Sequence, residues 1–375
     1  MPSLSKAQLS IITYMPMIAK SNRIEYIDAM RGFTMFIVVL THCWRLTCLR
    51  EVLSFPLVGN TVFSTFRMPL FFFVSGFVFY KARRHWSLME ILNFLKKKIP
   101  VQIVTPAVFM FAYFLIFGCD IHSGLTDSGK YGYWFTFTLF EFFIFYIISA
   151  VISDAVAPNN QILNDVIIIG FCLFFFLLSF PHFNNYLPIS ESVKGFLGFH
   201  NFSRYPYFVF GVMVRQYFNK FEHLLDCKMF ILICVVVFFT LNIISLTPWN
   251  TFVLDHDVLT SLLMAFTGII IVFALFRSLK SCLSSEKRFG RVIQYVGRRT
   301  LDIYLFHYFF LPVVSKGLEF SIPLIQNLHE PFSRFIVGSF DFLTSILVIC
   351  GCLIVAKVIR LIPFVDHWMF GAKKT

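Results

Sequence analysis

Long apolar runs alternate with short polar segments along nearly the whole chain. A helix needs about 20 mostly apolar residues to cross the hydrocarbon layer of a membrane. Runs of that kind lie near residues 31–49, 62–80, 99–118, 133–153, 163–181, 203–218, 229–247, 258–277, 300–316 and 336–362, the sixth and ninth being the shortest. The pattern predicts an all-α, polytopic membrane protein with about ten transmembrane helices. An even number of crossings places both termini on one side.

Charge sharpens that picture. Lys81, Arg83, Arg84, Lys96, Lys97 and Lys98 follow the second run, and Lys280, Lys287, Arg288, Arg291, Arg298 and Arg299 follow the eighth. Lys373 and Lys374 close the chain, whereas the loop holding Asp255 and Asp257 has no Lys or Arg. An excess of basic residues marks cytoplasmic loops. The expectation is a multi-pass protein of the cell membrane with both termini cytoplasmic. The stretch Ile11–Ala19 is short and lacks a small-residue cleavage site, so the first long run is expected to act as an uncleaved anchor. No soluble domain and no internal repeat is visible, so any chemistry must take place in the membrane or at its edge.

Composition agrees. The chain is 58% hydrophobic and 14% charged, with a mean hydropathy of +0.76 and 52 Phe residues. A water-soluble fold could not cover that much apolar surface. The net charge of +12 does not mark a nucleic-acid binder, because the basic residues are dispersed among short loops rather than gathered on one face. The nine cysteines show no metal-ligand spacing. Cys172, Cys234, Cys350 and Cys352 sit inside apolar runs and are expected to be packing residues, as is Cys43.

Ionisable residues inside the apolar runs are the candidates for chemistry, since hydrocarbon penalises them. The first run carries Asp28, Arg31, Thr41, His42 and Arg45. Arg31 and His42 are eleven residues apart, three helical turns plus about 20°, so they share a face about 16 Å apart along the axis. Asp28 can pair with Arg31 on that face. His42 suits general-base work near neutral pH; the alternative is a bond to a backbone carbonyl. Arg31 either snorkels to the headgroups or orients a ligand. In the second run, Pro69 is expected to break or kink the helix, and Ser75-Gly76 permits close helix approach. Lys96, Lys97 and Lys98, with Arg83 and Arg84, could hold the phosphates of an anionic cytoplasmic donor or serve as topological charge. In the ninth run Tyr304 and His307 share a face, and Asp302 can pair with Arg298 or Arg299. Glu141 is an isolated acid in the fourth run, and Tyr133 and Trp134 look like an interfacial belt.

Four of these elements occur in a recognisable order. They are the Asp-x-x-Arg-Gly start with His42 beyond it, Met68-Pro69-Leu70-Phe71-Phe72-Phe73-Val74-Ser75-Gly76-Phe77, the Lys-rich approach to the third run, and Thr300-Leu301-Asp302-Ile303-Tyr304-Leu305-Phe306-His307. Together they resemble acyltransferase family 3, ten-helix membrane enzymes that modify sugars and related surface molecules. The resemblance divides the chain into a cytoplasmic segment 1–22, a membrane acyltransferase domain 23–362 and a cytoplasmic tail 363–375. It implies a catalytic pair, Arg31 and His42, and an acyl-CoA co-substrate; family members use acetyl, succinyl and longer acyl groups, and acetyl-CoA, with its phosphates on Lys96, Lys97 and Lys98, is the first expectation. It implies a glycan hydroxyl as acceptor, no tightly bound cofactor and no metal. Asp28, Tyr304 and His307 are further site candidates. The family often has Arg in the basic motif where this chain has Lys, which cannot make bidentate phosphate contacts. A transporter or flippase of a lipid-linked sugar is the alternative, although its paired inverted repeats with broken helices are not evident.

Overall fold

The computed structural model describes residues 24–46, 58–81, 86–246 and 258–363, with 366 and 370. Arg83, Arg84, Asp255, Asp257, Lys373, Lys374 and the segment 1–22 lie outside the described residues. Among those described, every regular element is helical. The principal helices are α1 (Glu25–Leu46), α2 (Val58–Phe79), α3 (Leu88–Phe117), α4 (Trp134–Val156), α5 (Gln161–Leu178), α6 (Tyr205–Gln216), α7 (Lys228–Leu246), α8 (Val258–Ser278), α9 (Arg288–Arg298), α10 (Thr300–Leu318) and α11 (Glu330–Ile359).

Each of the ten apolar runs coincides with a helix. Among the described residues, seven helices, namely α2, α3, α4, α5, α7, α8 and α11, are long and apolar enough to cross a membrane. The other three, α1, α6 and α10, are too short or too polar by that measure, and they occupy the middle of the bundle. Helix α1 packs against α2, α8, α9, α10 and α11; α6 packs on α2 and α5; and α10 packs on α1, α3 and α11. Helices surrounded by protein rather than lipid can carry Asp28, Arg31, His42, Asp302 and His307 without exposing them to hydrocarbon.

Small residues let the central helices meet closely. A Cβ on Gly76 would lie 2.0 Å from the Phe208 carbonyl oxygen, and one on Gly211 would lie 2.0 Å from that of Phe73. The α2–α6 crossing therefore rests on a reciprocal glycine pair, as the Ser75-Gly76 step suggests. The same device seats α9 on α1, where a Cβ on Gly297 would meet the Asp28 carbonyl oxygen at 1.9 Å and one on Gly32 that of Ile293 at 2.1 Å. Helix α9 lies in what the sequence reading treats as a basic loop. It is amphipathic, with Gly290, Gln294 and Gly297 buried against the bundle and Arg288, Arg291, Phe289 and Val292 exposed.

Two expectations change. Helix α2 runs unbroken through Pro69. The proline ring removes one backbone donor, the one that the Thr65 carbonyl four residues back would otherwise accept from. Asp302 does pair with Arg299 (3.4 Å), but Arg360 grips it more closely, Nη2 to Oδ1 at 2.6 Å and Nε to Oδ2 at 3.2 Å. This bidentate pair ties the start of α10 to the end of α11, a structural rather than a chemical task. Cys43, Cys172, Cys234 and Cys352 are buried, whereas Cys350 faces outward.

Candidate active site

Helix α10 presents Tyr304, His307 and Tyr308 at positions i, i+3 and i+4, one face of the helix. That face meets the His42 end of α1. The His42 and His307 rings lie 5.2 Å apart, and the Tyr308 ring is 4.1 Å from His307. Two histidines separated by most of the sequence thus form one pair.

Their hydrogen bonds define the tautomers. His42 Nδ1 lies 2.7 Å from the Val38 carbonyl oxygen, one turn back in its own helix. His307 Nδ1 lies 3.0 Å from the Ile303 carbonyl oxygen and 2.9 Å from that of Tyr304. A carbonyl only accepts, so both Nδ1 atoms carry the proton and both Nε2 atoms carry a lone pair. The Nε2 of His42 accepts from the Tyr308 hydroxyl at 2.9 Å. The Nε2 of His307 is buried without a partner. Each helix thereby offers the cavity a basic nitrogen. The carbonyl bond considered as the alternative to catalysis for His42 is present, and it orients the ring.

These residues line a cavity of about 660 Å³ together with Arg45, Arg67, Thr65, Pro69, Trp134 and Arg204. Arg67, on α2, is buried. The Arg204 guanidinium stacks 4.7 Å from the Trp134 ring and donates to Asn201 Oδ1 at 2.8 Å. Tyr133 and Trp134 are therefore not an interfacial belt. Tyr133 is fully buried and its hydroxyl donates to the Leu305 carbonyl oxygen at 3.0 Å, while Trp134 forms cavity wall.

The loop before α4 holds the tyrosines in place. The Tyr304 hydroxyl donates to the Gly132 carbonyl oxygen at 3.3 Å. Gly132 has φ +100°, and a Cβ there would meet the Tyr308 hydroxyl at 2.1 Å. Lys130 and Tyr131 both have positive φ, a conformation that costs energy for side-chain-bearing residues. Lys130 is buried and donates to the carbonyls of Leu125, Asp127 and Gly195. Burial lowers its ammonium below the ordinary lysine value.

A second cavity, of about 440 Å³, opens at the other end of α1 and is lined by Arg31, Ser75, Lys81, Glu90, Asn93, Lys97, Lys98 and Gln102. Helical phase selects among the lysines. Glu90, Asn93, Lys97 and Lys98 fall on one face of α3, whereas Lys96 points away, exposed and outside the lining. The Lys98 ammonium lies 5.1 Å from the Phe143 ring. A π-helical turn, Pro100–Val104, interrupts α3 just beyond and carries Gln102, whose Oε1 is buried without a partner. Such turns frequently mark functional sites. Arg31 Nη2 donates to Thr300 Oγ1 at 3.3 Å, and its Nη1 lies 4.0 Å from Asp28 Oδ1.

The two cavities share no lining residue but come close. Arg31 and Met35 on α1, Ser75 and Phe71 on α2, and Leu139 and Phe135 on α4 each line opposite sides. Each pair is four residues apart, so the partition is about 6 Å, one helical turn, thick. Glu141 lies elsewhere, its Oε2 close to Gly198 and without a hydrogen-bond partner. Among the described residues, no three His, Cys, Asp or Glu side chains gather as metal ligands.

Sequence reading singles out His42, His307, Tyr304, Arg31, Lys97 and Lys98, and the fold sorts them between two facing cavities. It overlooks Arg67, Tyr308 and Arg204 as cavity residues. Arg67 was within reach: an arginine beside Pro69 in an apolar helix meets the same criterion that picks out His42.

A helical bundle with seven membrane-length helices among the described residues, a histidine pair at one cavity and a basic cavity one turn away has the make-up of a multi-pass membrane enzyme. The chain belongs to acyltransferase family 3: residues 24–359 match the model of its acyltransferase domain. No curated protein and no solved structure matches it. The protein is thus a membrane acyltransferase.

Proposed function

We propose that this acyltransferase moves an acyl group, acetyl in the first instance, from acyl-CoA to a hydroxyl of a cell-surface or precursor glycan. The observation that carries the reading is the pair of imidazoles whose Nδ1 protons are held by helix carbonyls, leaving two basic Nε2 atoms at one cavity. The acceptor hydroxyl gives its proton to His42 Nε2 as its oxygen bonds to the thioester carbonyl carbon. Collapse of the tetrahedral intermediate breaks the C–S bond, and the imidazolium returns the proton to the departing CoA sulfur. Tyr308, bonded to that nitrogen, relays the proton: its hydroxyl gives its own to Nε2 as it takes the acceptor's.

The charge of the lysine cavity suits an anionic donor. Arg31, Lys97 and Lys98 offer cationic contacts for the CoA phosphates, and with the N-terminus cytoplasmic this cavity faces the compartment that holds acyl-CoA. Lys makes point-charge rather than forked contacts, so the phosphates would be held by charge more than by geometry. The extended acyl-pantetheine arm needs to cross only the one-turn partition to reach the histidines.

The test uses purified protein, acetyl-CoA and a panel of glycans, read by CoA release and by the mass of the glycan. Wild type should couple the two. His42→Ala should lose about 10²- to 10⁴-fold in kcat while inserting normally. Near wild-type transfer by a folded His42→Ala would remove His42 from the mechanism. Transport of a lipid-linked sugar without CoA release would replace the acyl-transfer reading with the transporter one.

A further inference from the structure

We propose that the histidine cavity selects an acceptor carrying a negative charge, a carboxylate or a phosphate, close to the hydroxyl that is acylated. The proposal rests on the acyl-transfer reading of this cavity and adds the chemical class of the acceptor.

Arg67 carries the argument. It sits inside an apolar helix and is only 8% exposed, yet its Nη1 is buried without a hydrogen-bond partner. A desolvated guanidinium with an unmet donor is costly. Among the described residues, its surroundings do not relieve that cost. Arg45 and Arg204 line the same cavity, so three guanidinium groups converge there. Among the described lining residues Asp127 is the single acid, and its Oδ2 accepts from the Gly129 backbone N–H at 3.1 Å. Arg204 is committed on one side to Asn201 and on its face to Trp134. A neutral sugar brings only hydroxyl dipoles to this excess of positive charge. An anionic group brings the missing counter-charge, and both carboxylate and phosphate match the guanidinium fork.

The location favours recognition of the acceptor rather than of the donor. The donor's phosphates have their own cationic cavity across the partition, lined by Arg31, Lys97 and Lys98. Arg67 shares its cavity with His42, so an anion seated on it would hold the rest of the acceptor beside the base. A competing role, stabilising the oxyanion of the tetrahedral intermediate, would act on every acceptor alike.

The experiment compares matched acceptors: an oligosaccharide containing uronic acid with its carboxyl-reduced form, and a phosphodiester-bearing oligosaccharide with its dephosphorylated form. Wild type, Arg67→Gln and Arg67→Lys are assayed with acetyl-CoA in membranes matched for inserted protein. Wild type should prefer the charged member of at least one pair by about 10- to 100-fold in kcat/KM, the range of one charge-assisted contact. Which pair shows the preference separates carboxylate from phosphate. Arg67→Gln should bring that ratio toward one, chiefly through KM, with Arg67→Lys between. Equal use of charged and neutral acceptors by wild type overturns the proposal while leaving acyl transfer standing. So does an Arg67→Gln effect confined to kcat and equal for both members, which assigns Arg67 to the oxyanion.

A binding arm does not depend on turnover. Thermal stability of the purified wild-type protein is measured with galacturonate, glycerol phosphate and glucose at equal concentration. Stabilisation by an anion that Arg67→Gln abolishes supports the site even if no glycan is acylated, an outcome that would overturn the acyl-transfer reading alone. No stabilisation by either anion, with no charge preference in turnover, overturns the anion site.

Discussion

His42 and His307 are oriented by the simplest means a helix offers. Each donates from Nδ1 to carbonyls three or four residues back, so the ring's other nitrogen carries the lone pair. Position alone does not divide the work between them. His42 accepts from Tyr308, whereas His307 Nε2 has no partner. If they act as one unit, with His307 receiving or steering the same proton, removing both should cost no more than removing the more important one. His307→Ala is expected to lower kcat by about 10- to 100-fold, within the range of a lost proton-transfer partner. The double variant His42→Ala/His307→Ala should fall no further than His42→Ala alone. Steady-state rates for the two singles and the double give the answer, and multiplicative losses would show independent roles.

At the scale of elements, the site depends on a loop that contributes few side chains to it. The Lys130–Gly132 turn takes three positive φ values in succession and places the Gly132 carbonyl against the Tyr304 hydroxyl. A methyl group at Gly132 meets the Tyr308 ring and hydroxyl at 2.1 Å, and alanine at φ +100° is strained as well, by about 1–3 kcal/mol. Gly132→Ala should therefore push Tyr308 off His42 Nε2 and lower activity by about tenfold or more, with insertion retained. Acylation by membranes matched for protein level tests this, with a Tyr308→Phe variant beside it. If Tyr308→Phe alone reproduces the loss, the lost hydroxyl contact is sufficient cause; full activity in Gly132→Ala would show that the loop yields instead. The helix pairs rest on the same economy of small residues, Gly32 with Gly297 and Gly76 with Gly211, where backbone meets backbone.

The whole molecule sets two cavities against a thin partition, an arrangement that in the proposed reaction divides donor binding from chemistry. Lys97 and Lys98 line the cavity away from the histidines, and Lys96 lies outside it. Contacts to the non-reacting part of a donor contribute uniform binding and appear in KM. Lys97→Gln/Lys98→Gln should raise the apparent KM for acyl-CoA about tenfold or more with a smaller change in kcat, whereas Lys96→Gln should match wild type. An accessibility assay must accompany the kinetics, since basic residues also set topology. If topology holds and KM is the same in all three, the cluster serves topology alone.

The linear chain by itself determined the solvent and the secondary structure. Runs of Phe, Ile, Val and Leu about twenty residues long can satisfy their backbone only as helices in lipid, and each of the ten runs coincides with a helix among the described residues. It also determined which face of α1 carries Arg31 and His42 and which face of α10 carries Tyr304 and His307, because helical phase is a local property. Tertiary structure alone decided which faces meet. The His42–His307 pair, the arrival of Arg67 and Arg204 at the same cavity, and the exclusion of Lys96 from the other depend on crossings between helices far apart in sequence. It also decided that α1, α6 and α10 lie within the bundle, which their apolar runs could not reveal, and that the basic stretch after α8 folds as α9 against Gly32. Periodicity reports how a helix is turned about its own axis; only packing against its neighbours, through close glycine contacts and a buried Asp302–Arg360 pair, establishes what that face touches.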